Sequence, residues 1–249
     1  MTPLIVRDEG HLRWVSFNRP AVLNALTRDD IRAATAAVRD LSPEVRAVIF
    51  TGSGRAFSSG VHVEVFRSLS PPEARAFISE LGELIGAARR APVPTLCAIN
   101  GYCLGGAMEL AMACDLRVAS DTAVFGMPEI RVGIPSVLDA ALLQQHVGLS
   151  KAKEVLLTGD LYPVAALQPF GFANKVVPPD ELLAAVEDLA QRVAAHSRPA
   201  LAAQKRLFET WQNVGLQASI DASIGEFAEV FCHPVTRERV AAYLTGDAE

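Results

Sequence analysis

The stretch NGYCLGGAMEL, residues 100–110, places two adjacent glycines and one acid in mostly apolar sequence. It continues PTLCAIN (94–100), an apolar run with the character of a buried strand, and leads into AMELAMAC (107–114), which is rich in helix formers. Gly105 and Gly106 therefore mark a strand-to-helix turn. The first amides of a helix have no partner inside it, and two glycines there let a ligand approach them closely. Such a turn can hold an oxyanion. Glu109 follows three to four residues later, on the same side as those amides, among Met108, Leu110, Ala111 and Met112. A carboxyl in that company must be paired, hydrogen-bonded or protonated.

A second glycine turn lies upstream in GRAFSSGVHV (54–63). Gly60 removes bulk there, and the amide of Val61 can point at the same atom as the first turn. Two converging amides stabilise negative charge growing on a carbonyl oxygen. A second acid, Glu129, follows the short strand TAVF (122–125) in FGMPEIRVGIP (125–135), where Pro128 keeps the approach extended.

Around this centre, short β-like runs alternate with helical patterns, which argues for an α/β core. The clearest strands are PLIVRD (3–8), HLRWVSFN (11–18), AVIFTG (47–52) and PTLCAIN. A first helix is expected after Thr27 as N-cap, with Ile31, Ala34, Val38 and Leu41 on one face. A second starts at SPPE (70–73), where Ser70 caps, Pro71 suits the first position and Glu73 completes a capping box. Its buried face is Phe77, Ile78, Leu81, Leu84 and Ile85. A further helix is predicted over about 180–196. SRPAL (197–201) then divides a 1–196 core from a helical segment, 197–249. That segment carries Leu207, Phe208, Trp211, Phe227 and Phe231, and is too small to hide them by itself. It must cover its own core or meet another subunit.

The composition excludes several partners. The 249 residues are 50% hydrophobic with a net charge of -5 and no basic stripe, against nucleic acid or an anionic membrane as partner. No apolar run approaches bilayer length, and MTPLIVRDEG (1–10) lacks the pattern of a secretory signal, so a cytoplasmic location is expected. Cys97, Cys103, Cys114 and Cys232 show no metal-ligand spacing; neither zinc nor a disulfide is expected.

FNRPAVLNAL (17–26), GRAFSSGVHV and INGYCLGGAMELAMACDLRVASDTAVFGMPEI (99–130) together resemble the enoyl-CoA hydratase/isomerase, or crotonase-like, family over nearly the whole chain. The resemblance implies an α/β spiral of β-β-α turns followed by a helical trimerisation segment, assembled as a homotrimer or homohexamer. It implies an acyl-CoA thioester as substrate, and neither a metal nor a redox cofactor. It places an oxyanion hole at the backbone N–H groups of Val61 and Gly106, and catalytic acids at Glu109 and Glu129. Contacts to substrate or CoA fall on Ala25, Ser59, Gly60, His62, Gly105 and Ser136. A polarised thioester conjugated to a C=C bond needs water activated at the β-carbon and a proton at the α-carbon. Two carboxyls in different protonation states can do both. Glu109 is assigned mainly to holding and deprotonating water, and Glu129 to proton transfer at the α-carbon. Hydration of a 2-enoyl-CoA is the expected reaction; isomerisation, hydrolysis and decarboxylation are the alternatives within the family, and an acyl-CoA-binding scaffold is the alternative without chemistry.

Two stretches depart from the pattern. His62 stands where many members carry an Asp, and it is expected on the adenine side of the pocket. VGIPSVLDAALLQQHVG (132–148) has Ser136, Val137, Leu138 and Asp139 where typical hydratases have a glycine-rich run. The spacing predicts a helix capped by Ser136, with Asp139 in the capping-box position and Val137 and Leu138 forming a distal acyl wall. Asp139 is also a candidate third acid. A rival reading treats GYCLG (101–105) as a nucleophile elbow around Cys103, with Asp160 and His196 or His233 as partners.

Overall fold

The computed structural model describes residues 2–246. The strands β1 (Leu4–Glu9) and β2 (Leu12–Phe17) form an antiparallel hairpin. The helix α1 (Arg28–Arg39) then carries the chain to β3 (Ala47–Gly52) and β4 (Ala56–Ser58). From there α2 (Pro71–Arg89) leads to β5 (Thr95–Ile99) and β6 (Tyr102–Leu104), and α3 (Gly106–Ala113) leads to β7 (Leu116–Ser120) and β8 (Val124–Gly126). The core is completed by α4 (Leu143–Val147), α5 (Leu149–Thr158), β9 (Leu161–Pro163), α6 (Val164–Leu167), β10 (Lys175–Val177) and α7 (Leu182–Ala194). Three C-terminal helices follow: α8 (Arg198–Asn213), α9 (Leu216–Val230) and α10 (Pro234–Thr245).

The strands sort into a six-stranded sheet, β1-β2-β3-β5-β7-β10, and a four-stranded sheet, β4-β6-β8-β9. Each turn of chain lays one strand in each sheet, β3 with β4, β5 with β6 and β7 with β8, with parallel neighbours in both. This is the spiral of β-β-α turns that the family resemblance implies. Helices cover both faces of the larger sheet, so its inner strands β3 and β5 are buried on both sides and mostly apolar. Phe17, Phe50 and Cys97 face the layer holding α1, α2 and α3, while Trp14, Ile49, Leu96 and Val118 face α7.

Local signals set the helix starts. Thr27 caps α1 with its backbone N–H donating to Asp30 at 2.7 Å, and Ser70 caps α2 with the reciprocal bond to Glu73 at 2.8 Å. The start of α7 comes two residues later than predicted because Pro179–Glu181 forms a 3-10 turn first. Ser197 caps α8 by accepting the N–H of Ala200. That helix is docked on the core, since the buried Lys205 reaches Asp115 at 2.5 Å and the carbonyl of Ala88 at 3.2 Å. Beyond it, Trp211, Phe227 and Phe231 remain exposed. The C-terminal segment thus covers part of its own core and still presents an apolar surface. Among the described residues no helix is long and apolar enough to cross a membrane.

Candidate active site

The two glycine turns meet backbone to backbone. A Cβ on Gly60 would stand 2.7 Å from the carbonyl oxygen of Leu104 and 3.4 Å from the nitrogen of Gly106, and Gly60 itself has φ +86°. Only glycine allows that approach in that conformation. Leu26 forms a parallel bridge with Val61, donating to the carbonyl of Gly60 at 2.8 Å and accepting from the N–H of His62 at 2.9 Å. Both bonds flank Val61 and leave its own N–H unpaired among the described residues. Asn24 secures this edge, with Nδ2 donating to the carbonyls of Ser53 and Ala56. FNRPAVLNAL therefore serves the site by holding the first donor in place.

The second donor comes from α3. Gly105, at φ +53°, donates to the carbonyl of Gly126 at 2.9 Å and accepts from the N–H groups of Met108 and Glu109. Gly106 is the first residue of the helix, and its N–H has no partner among the described residues. The helix is further fixed at its other end by the buried Arg117, whose Nη1 donates to the carbonyls of Ala111 and Cys114.

Val61 and Gly106 line a cavity of about 310 Å³ with both glutamates on its wall. Ser59, Gly60, Gly105, Ser136 and Val137 line it too, and the rest is mostly apolar, including Phe66, Ile78, Leu81 and Ile134. Glu109 is buried, and its Oε2 has no hydrogen-bond partner. Burial, reinforced by the nearby charges of Glu129 and Asp139, pushes its carboxyl up to about 9, against a smaller opposing pull from the Val137 N–H directed at it. Burial also raises Glu129, but its own backbone and the Ser136 hydroxyl, which donates to Oε2 at 3.0 Å, work against the rise. The carboxyl of Glu129 lies against Gly105, with Oε1 2.5 Å from where a Cβ would stand. Near neutral pH Glu109 therefore keeps its proton.

Three features of the 136–139 segment differ from those its sequence predicts. Ser136 does not cap a helix: the 3-10 helix Leu138–Leu142 starts after Val137, and the Ser136 hydroxyl goes to Glu129 instead. Asp139 is not in a capping box and does not line the cavity; its carboxylate pairs with Arg89 of α2 at 2.5 Å. Of the supposed acyl wall only Val137 lines the cavity, while Leu138, at φ +49°, turns away to pack 3.1 Å from the Cβ position of Gly82. His62 and Ala25 do not line the cavity; each is the chain neighbour of a residue of the Leu26–Val61 bridge. Cys103 faces the core; its Sγ donates to the carbonyl of Ala107 at 3.5 Å, and burial pushes its thiol up. A thiol held protonated in the core is a poor nucleophile, which counts against the elbow reading. Ile78 and Leu81 were legible as an apolar helix face but not as cavity wall.

The family model for enoyl-CoA hydratase/isomerase matches residues 8–246. A crotonyl-CoA hydratase of Syntrophomonas wolfei is 37% identical over 237 residues, covering 92% of this chain and 88% of that protein. A short-chain-enoyl-CoA hydratase of Clostridium acetobutylicum is 31% identical, covering 92% and 87%. Among crystal structures, an enoyl-CoA hydratase subunit of Geobacillus kaustophilus superposes with a TM-score of 0.91 at 30% identity, covering 98% of this chain and 96% of that one. The sequence match along the chain, the shared spiral and the paired glycine turns lead to one assignment: the chain belongs to the enoyl-CoA hydratase/isomerase family.

Proposed function

We propose that this protein is a hydro-lyase that adds water across the 2,3 double bond of a 2-enoyl-CoA. The carrying observation is a pair of carboxyls in unlike environments beside two free backbone donors in one apolar cavity. The N–H groups of Val61 and Gly106 would receive the thioester oxygen and stabilise the enolate-like charge that develops on it. Water then needs a base on one side and the α-carbon needs an acid on the other. A pair sharing one proton supplies both, so water activation belongs to Glu109 and Glu129 jointly rather than to Glu109 alone. No step calls for a metal or redox cofactor. A panel of 2-enoyl-CoA thioesters, followed by loss of the conjugated-enoyl absorbance, tests the reading; no loss with any member would refute it.

The cavity favours short acyl groups, because Val137 adds bulk to its wall. Val137→Gly should raise kcat/KM for longer enoyl-CoAs relative to crotonyl-CoA, by about tenfold for a few added methylenes. Leu138→Gly should leave the ratio unchanged. An unchanged profile in the Val137 variant would mean that this residue does not bound the acyl chain.

The protein is proposed to work in the cytoplasm as a trimer or a dimer of trimers. Trp211, Phe227 and Phe231, at 45%, 69% and 39% exposure, give the C-terminal helices an apolar surface that a soluble protein covers. Light scattering should show three or six copies at micromolar concentration. A stable, active monomer would contradict the assembly.

A further inference from the structure

Arg89 closes α2 outside the acyl cavity, yet it joins three parts of the chain. Its Nη1 lies 2.5 Å from Asp139 Oδ1, and its Nε lies 3.0 Å from Glu209 Oε2 on α8. Asp139 is buried and ends a short segment whose other end, Ser136 and Val137, shares the cavity wall with both glutamates. In that segment the Ser136 hydroxyl donates to Glu129, and the Val137 N–H is directed at Glu109. Between these anchors Leu138 sits at φ +49°, a left-handed conformation disfavoured for a leucine. Such a conformation persists only where the surroundings impose it. The seat on Gly82 supplies one constraint, and the ion pair of Asp139 supplies the other.

We propose that Arg89 is a positioning residue for the two active-site carboxyls: by bridging Asp139 and Glu209 it fastens the 136–139 segment to α2 and to the C-terminal helix α8. The kinetic consequences rest on the hydratase reading, whereas the structural ones rest on geometry alone. Asp139 is faced by Arg89, Arg90 and Glu209, and Glu109 by Glu129 and Asp139. A loosened segment would let the Ser136 hydroxyl leave Glu129 and the Val137 N–H leave Glu109 without altering the oxyanion donors on Val61 and Gly106. The loss should therefore fall on kcat and spare KM.

Hydrogen–deuterium exchange of the full-length protein, read on the peptide spanning residues 133–141, tests this directly. Arg89→Gln should speed exchange there by about tenfold or more and leave peptides from β5 and α3 unchanged. On the same protein kcat should fall about tenfold with KM within about twofold, since a small misplacement of reacting groups suffices for that loss. Arg89→Lys should recover part of it. The double variant Arg89→Gln/Asp139→Asn should be no slower than the slower single variant, because both remove one anchor. Unchanged exchange in Arg89→Gln overturns the proposal whatever the reaction, and additive kinetic losses overturn the route through Asp139. Should Arg89→Gln fail to fold, Glu209→Gln removes only the outer partner; the same local gain in exchange is expected, and its absence counts against the proposal. A wild-type protein inert toward every 2-enoyl-CoA would refute the hydratase reading and leave exchange to decide the role of Arg89.

Discussion

Glu129→Gln should lower kcat for enoyl-CoA hydration by about 10²–10⁴-fold, while KM for the acyl-CoA stays within about twofold. The amide fills the same space against Gly105 and can still meet the Ser136 hydroxyl. It cannot exchange a proton. Glu129 is the member of the pair whose carboxylate is supported by the Ser136 hydroxyl and its own backbone, so under the hydratase reading the substitution removes the proposed proton-transfer partner of Glu109. The free N–H groups of Val61 and Gly106, proposed to hold the thioester oxygen, are untouched by the substitution. Binding should survive where turnover does not. Steady-state kinetics with one enoyl-CoA decide the matter, and near wild-type turnover would remove Glu129 from the mechanism.

The second large effect is expected at Glu109, and there stability and activity should move in opposite directions. A carboxyl held near 9 in the folded protein and near the ordinary 4.5 in the unfolded chain makes folding less favourable as pH rises between those values. Its contribution to stability is fully present below about 4.5, where both states are protonated, and is lost progressively as pH climbs through the folded value. Glutamine has no proton to lose. At pH 7 Glu109→Gln should therefore be more stable than the wild type by roughly 3 kcal/mol at most, with the difference shrinking toward pH 5. The same change should cost about 10²–10³-fold in kcat under hydration. In the wild type, kcat should also fall as pH rises past about 9, when Glu109 gives up its proton. Thermal unfolding of both proteins from pH 5 to 8 checks the first half: an equal or lower Tm for the variant at every pH would show that Glu109 is not a destabilised acid.

The parts of the fold governed by local chemistry were legible in the sequence. Thr27 with Asp30 and Ser70 with Glu73 are short-range caps, and they fix α1 and α2 at the expected residues. The strand-glycine-helix pattern at residues 94–114 likewise places Gly106 and Glu109, because the N–H groups of Met108 and Glu109 close the first helical turn on Gly105. The segment 136–139 was misread for the opposite reason. Ser-x-x-Asp is a local capping signal, but Glu129 takes the Ser136 hydroxyl and Arg89, fifty positions away, takes Asp139. Nor does a leucine announce a left-handed backbone, so the outward turn of Leu138 depends on its seat at Gly82. Ile78 and Leu81 illustrate a third limit. Their helical spacing shows that they are covered, but not that part of what covers them is the space for a substrate.

In the proposed reaction the two carboxyls and the two free amides together add water to a conjugated thioester. Incubating the wild-type protein with crotonyl-CoA in ¹⁸O-labelled water and analysing the thioester product by mass spectrometry tests it most directly. The predicted result is one labelled hydroxyl on the β-carbon with the thioester intact, formed at a rate that Glu129→Gln abolishes. A shifted double bond without label, or free CoA with label in the released acid, would contradict it.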